Sequence, residues 1–111
     1  MELLTPELRA KLIENYKRRD DDHVPVVKWF TPWANATWLL KDMSPEEDIL
    51  FGLCDLGLGE PELGYVSLHE VQSIRGPAGL RIERDLYFET DLPLSRWTKT
   101  ARIAGRIINP E

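Results

Sequence analysis

One cysteine, two histidines and no long apolar run set the first bounds on this chain of 111 residues. The lone thiol, Cys54, excludes an internal disulfide and, set inside an apolar run, is what a reducing compartment permits, so a cytoplasmic setting is expected. Its expected role is that of a small buried apolar side chain. With His23 and His69 as the only imidazoles, the spacing brings no base to the thiol, and nucleophilic catalysis has no visible set of partners. The longest uncharged stretch, residues 29–40, contains Pro32 and Asn35 and falls well short of the roughly 20 apolar residues that a membrane helix needs. Met1-Glu2-Leu3-Leu4 puts an acid where a secretory leader carries base, so no export signal is expected. Base is scarce in the middle of the chain, where residues 42–91 hold three basic and twelve acidic side chains, a local −9 within a net −5. That balance repels phosphate and argues against general nucleic-acid binding.

What is present is the composition of a folded protein, 42% hydrophobic and 30% charged, far from the regime in which chains stay disordered. The length supplies one core, hence a single domain over residues 1–111. Thr5 suits an N-cap and Pro6 the first helical position, so a helix is predicted over 6–16 with Leu8 and Leu12 inward. Strands are predicted over 24–30, 37–41, 49–56 and 63–66, separated by turn residues. Ser67 followed three positions later by Glu70 fits a capping box and starts a second helix that Gly76-Pro77 ends. Residues 82–89 alternate, which predicts a fifth strand with Ile82, Leu86 and Phe88 on one face and Glu83, Asp85, Tyr87 and Glu89 on a wet, acidic one. Arg84 falls on the apolar face and needs a carboxylate or a place at the sheet's margin. The last segment puts Leu94, Trp97, Ala101, Ala104 and Ile108 on one helical face. The predicted fold is α+β, a small single domain with a mostly antiparallel sheet of about five strands, covered on one face by N-terminal, middle and C-terminal helices.

Five features are candidate sites. Gly57, Gly59 and Gly64 superficially match a phosphate-cradling loop, but a strand follows and Glu60 and Glu62 repel an anion, so positive φ in a turn is their expected use. Asp55, Glu60, Glu62 and His69 offer oxygen and nitrogen donors to a metal, although their spacing matches no metal motif and no cofactor is predicted. Asp20-Asp21-Asp22 reads as a solvated loop. Of four tryptophans, Trp33 alone follows a Thr-Pro turn, which makes it the first candidate contact residue. Arg96, Lys99, Arg102 and Arg106 form a basic stripe on the last helix, and Ile103 and Ile107 lie outside its apolar face as a candidate contact between copies.

The string from His23-Val24-Pro25-Val26-Val27-Lys28 through Phe30-Thr31-Pro32, Ala36-Thr37-Trp38-Leu39-Leu40, Phe51-Gly52-Leu53-Cys54-Asp55-Leu56-Gly57 and Glu62-Leu63-Gly64-Tyr65-Val66-Ser67-Leu68 to Ile82-Glu83-Arg84-Asp85-Leu86 resembles the bacterial family catalogued as domain of unknown function 2958. The resemblance covers nearly the whole chain. It implies a short protein often carried on plasmids and other mobile elements, and no reaction, cofactor or catalytic residue.

The expected function is therefore a non-enzymatic interaction module of a mobile element. It would engage a host protein through acidic groups and exposed aromatics, in the manner of an acidic anti-defence inhibitor or nucleic-acid mimic. A small metal-dependent enzyme built on Asp55, Glu60, Glu62 and His69 is the alternative.

Overall fold

The computed structural model describes residues 1–111. Thr5 caps the first helix as predicted, its Oγ1 accepting from the Leu8 N–H at 3.2 Å, and α1 spans Pro6–Tyr16. Four strands follow, β1 (Val27–Phe30), β2 (Thr37–Met43), β3 (Ile49–Asp55) and β4 (Glu62–Ser67). Ser67 then caps α2 (Leu68–Ser73) through the Glu70 N–H at 3.3 Å. After a single 3-10 turn at Pro77–Gly79, the two-residue β5 (Glu83–Arg84) and α3 (Leu94–Ala104) complete an α+β domain. All strand pairs are antiparallel, in the order β4-β3-β2-β1-β5.

Both faces of this sheet are covered, not one. Trp29, Trp38, Leu40, Met43 and Leu50 face α1 and α2, packing with Leu3, Leu12, Leu68, Val71 and Ile82. Leu39 and Leu53 face the other way, under Leu94, Trp97 and Ala101 of α3. The unbroken apolar runs Trp38-Leu39-Leu40 and Leu50-Phe51 already carried this, since strands buried on two faces do not alternate. Gly52 pairs with Leu40 of β2, and a Cβ there would lie 1.9 Å from the Leu39 carbonyl oxygen.

Three further expectations change. The strand predicted over 82–89 stops after two residues, because the Asp85 carboxylate accepts the Tyr87 N–H at 2.9 Å and turns the chain out of the ladder. The wet acidic strand face therefore does not form. Arg84 does take a margin position, on the edge strand β5, with its Nη1 enclosed and unpartnered. In α3 the inward set Leu94, Trp97 and Ala101 is buried as predicted, but the helix ends at Gly105, leaving Ile108 outside it and Ala104 exposed. Ile107 packs on the second core and gives its N–H to Asp55 at 3.0 Å, so of the proposed contact pair only Ile103 stays open, at 82% exposure.

Asp48 joins three elements at the β2–β3 turn. Its carboxylate takes both Arg9 Nη atoms, at 3.0 and 3.4 Å, from α1, while its carbonyl accepts the Leu68 N–H that opens α2 at 3.1 Å. The Arg9 hydrogen bonds hold the Asp48 carboxyl below its ordinary range and Arg9 above its own, with burial opposing in both. A carboxyl lowered in the fold stabilises it above the unfolded value and loses that contribution as pH falls through the lowered one. Asp48→Asn is expected to flatten the acid limb of stability below about pH 4, read by urea unfolding across pH 2–7. An unchanged acid limb contradicts the pairing.

Candidate functional site

The site is built where β2 departs from regular pairing. Leu40 pairs with Gly52 and Asp42 with Phe51, so Lys41 is the extra residue of a bulge. A bulge re-aims side chains, and here Lys41 and Asp42 both line one cleft on the α3 face of the sheet. Their ion pair, Nζ to Oδ2 at 2.7 Å, is nearly dry, with side-chain exposures of 8% and 4%. Lys41 Nζ also donates to the Arg19 carbonyl and stands 5.4 Å from the Phe51 ring centre, while its own carbonyl accepts Asn15 Nδ2 at 2.8 Å. The bulge is thereby tied to α1 and the loop that follows it.

That loop makes the second wall. Pro93 occupies the N-cap of α3 and has no side-chain donor or acceptor to offer the helix, so the cap comes from a distance. Asp22 accepts the Ser95 N–H at 3.0 Å and the Ser95 hydroxyl at 2.5 Å, and the His23 carbonyl accepts the Leu94 N–H at 2.9 Å. A carboxylate at a helix start also meets the positive end of the dipole. The α1–β1 loop is held against α3 by these bonds.

Phe51 and Tyr65 form the third wall, edge to face at 4.9 Å, and Tyr65 is 77% exposed. Tyr16 lines the far side with Arg19 stacked over its ring at 4.6 Å. The cleft so enclosed measures about 560 Å³, and Asp20, Asp21, Asp22, Asp42 and Glu47 outnumber Arg19 and Lys41 along it. Asp42 spends only Oδ2 on Lys41, which leaves its other carboxylate oxygen without a hydrogen-bond donor. Carboxylates and aromatic faces in one cleft attract cations by charge and by ring quadrupole.

The residues singled out from sequence are dispersed. Glu60 and Glu62 lie at the β3–β4 end beside Arg102, on the sheet edge opposite Glu83, Asp85, Tyr87 and Glu89. Asp85 is paired with Lys28 at 3.5 Å, and Tyr87, 91% exposed, stands on the turn that replaces the strand. Asp55 is buried, accepting from the Gly57 and Ile107 N–H groups, while His69 lies on α2 near Asp48 at 3.9 Å. The four suggested metal donors do not converge, and no trio of His, Cys, Asp or Glu is grouped for a metal. Trp33 is half-buried and folds back onto the first core, touching the Gly76 backbone where a Cβ would come within 2.4 Å of its ring. Arg96, Lys99 and Arg102 are exposed along α3, and Arg106 follows beyond its end.

Cys54 is partly buried with its thiol toward the Gly52 carbonyl, while His23 bonds the Arg18 carbonyl and His69 lies near Asp48; burial pushes the thiol up to about 11. Relative to an ordinary thiol this lowers the thiolate fraction at pH 8 by roughly a hundredfold. The more basic thiolate is also the stronger nucleophile, so a thiol reagent is expected to label the folded protein at least about tenfold more slowly than the urea-unfolded chain. Equal rates contradict a shielded Cys54.

Lys41 and Asp42 are not legible as a site in the sequence because Lys41 reads as the end of a strand and Asp42 falls between that strand and the polar loop that begins at Ser44. The available signal was Met43, an apolar residue just past two opposite charges, which continues the strand through them. Asp20–Asp22 read as solvated because nothing in the local pattern announces a cap donated to a helix seventy residues later.

A family model described as "Protein of unknown function (DUF2958)" matches residues 3–108, and the chain belongs to that family. No curated protein and no solved structure matches it. No helix is long and apolar enough to cross a membrane.

Proposed function

We propose that this family member is a protein-interaction module whose acidic, aromatic cleft takes a lysine- or arginine-bearing segment of another protein. The supporting observation is that an excess of carboxylates and the exposed Tyr65 ring line one cleft with the half-engaged Asp42. A cationic side chain entering there meets the exposed Tyr65 ring as a flat partner and the rim acids Asp20, Asp21 and Glu47 as counter-charges, with Asp42 beneath them. The reading takes the chain as one carried on a mobile element, with a host protein as its partner. Of the acidic groups of residues 42–91, Glu60 and Glu62 lie toward one sheet edge and Glu83 and Asp85 at the other, while Asp48 and Asp55 are engaged within the fold, so the reading narrows from mimicry of a whole nucleic-acid backbone to capture of a basic segment.

Titration with a short peptide alternating lysine and threonine, against its glutamate–threonine counterpart, tests this by calorimetry. Only the lysine peptide is expected to bind, more weakly as salt rises. The exposed triple replacement Asp20→Asn, Asp21→Asn, Glu47→Gln is expected to weaken it about tenfold, three modest charge contributions acting together. Binding that ignores both salt and these replacements contradicts the assignment.

A further inference from the structure

The two edges of the sheet are unlike. β5 is two residues long, turned away at Asp85 and covered at the Arg84 N–H by the Met1 sulfur at 3.3 Å. β4 is six residues long, contains no proline, lysine or bulge, and pairs only with β3. Natural sheets blunt exposed edges with those devices, and β4 has none of them.

The ladder's phase says which groups of β4 are free. The Leu68 N–H donates to the Asp48 carbonyl at 3.1 Å, and Ser44 to the Ile49 carbonyl at 2.9 Å on the opposite side of β3. Antiparallel pairing alternates, so Glu62, Gly64 and Val66 bond β3, while the main-chain N–H and C=O groups of Leu63 and Tyr65 face outward. Leu63 and Tyr65 are also the residues of β4 whose side chains line the cleft, whereas Val66 packs on the opposite face. Free main-chain groups and the site's side chains thus belong to the same two residues.

We infer that the β4 edge accepts an extended basic segment as an antiparallel sixth strand, whose alternate lysine or arginine side chains lie beside Tyr65 and reach into the acidic cleft. This rests on the cleft's reading as a site for a basic segment, and it adds the mode of binding. Main-chain bonds supply affinity and the cleft supplies selectivity for cations at alternate positions. A second copy in the same place would bring two acidic clefts side by side, which favours a basic partner.

In an antiparallel partner, the residues whose side chains share the Leu63 and Tyr65 face are those whose N–H groups point at β4. N-methylation of the lysines in the lysine–threonine peptide is therefore expected to weaken binding about tenfold or more, and N-methylation of the threonines to leave it within about threefold. On the protein, Tyr65→Pro removes an outward N–H without touching the β3 ladder, and it is expected to bind about tenfold more weakly than Tyr65→Ala. If the two methylated series bind alike, strand addition is overturned while capture of cations by the cleft stands. If the unmodified peptide does not bind at all, both fall. Sedimentation showing a dimer that Tyr65→Pro dissociates would assign the edge to a second copy and overturn the proposal.

Discussion

Lys41→Met is expected to lower stability by about 3–5 kcal/mol, because it leaves the Asp42 carboxylate, 4% exposed, without its cation. Asp42 cannot recover the lost partner from water at that depth, and the Arg19 carbonyl loses a donor in the same step. Replacing both members, Lys41→Met with Asp42→Leu, is expected to return most of the loss, since an apolar pair of similar volume avoids the desolvation of two ions. Urea unfolding of the two variants beside the parent is the check. A Lys41→Met loss below about 1 kcal/mol would describe a solvated surface pair and contradict the buried one.

Gly52→Ala carries the second large effect. Its Cβ would meet the Leu39 carbonyl oxygen at 1.9 Å and the Leu40 Cα at 2.8 Å, both backbone atoms of the neighbouring strand. Neither can swing aside as a flexible side chain would, so β2 and β3 must part beside the bulge that aims Lys41 and Asp42. We expect a loss above about 4 kcal/mol, at the extreme of what single substitutions do. Gly64→Ala, directly across in β4 and with nothing within 4 Å of its Cβ, is expected to change stability by less than about 1 kcal/mol. Comparable losses at the two positions contradict the close approach at Gly52.

The contrast between those two glycines marks what the sequence made legible. Local chemistry was readable wherever a residue acts on its own neighbours. Thr5 and Ser67 cap the helices they precede, and Gly57 and Gly59 adopt φ of 81° and 86° in the predicted turn. The extent of β5 was misjudged because Asp85 engages its own backbone, a local alternative that the alternation of 82–89 concealed. The site itself was the least legible part, since each of its walls comes from long-range pairing. The bulge at Lys41 exists only against Gly52, Asp22 acts on Ser95, and Tyr65 acquires its role from Phe51 across the ladder. Charge counted along the chain pointed to residues 42–91, whereas charge gathered in space depends on Asp20–Asp22 meeting Asp42 and Glu47.

Amide chemical-shift mapping of the lysine–threonine peptide on the isotopically labelled protein tests the central assignment most directly. The expected perturbations fall together on Arg19–Asp22, Lys41–Ser44, Leu63–Tyr65 and Ser95, the segments that enclose the cleft. Perturbations centred instead on the acids of Glu83–Glu89, or on Glu60 and Glu62 without the bulge, would contradict it.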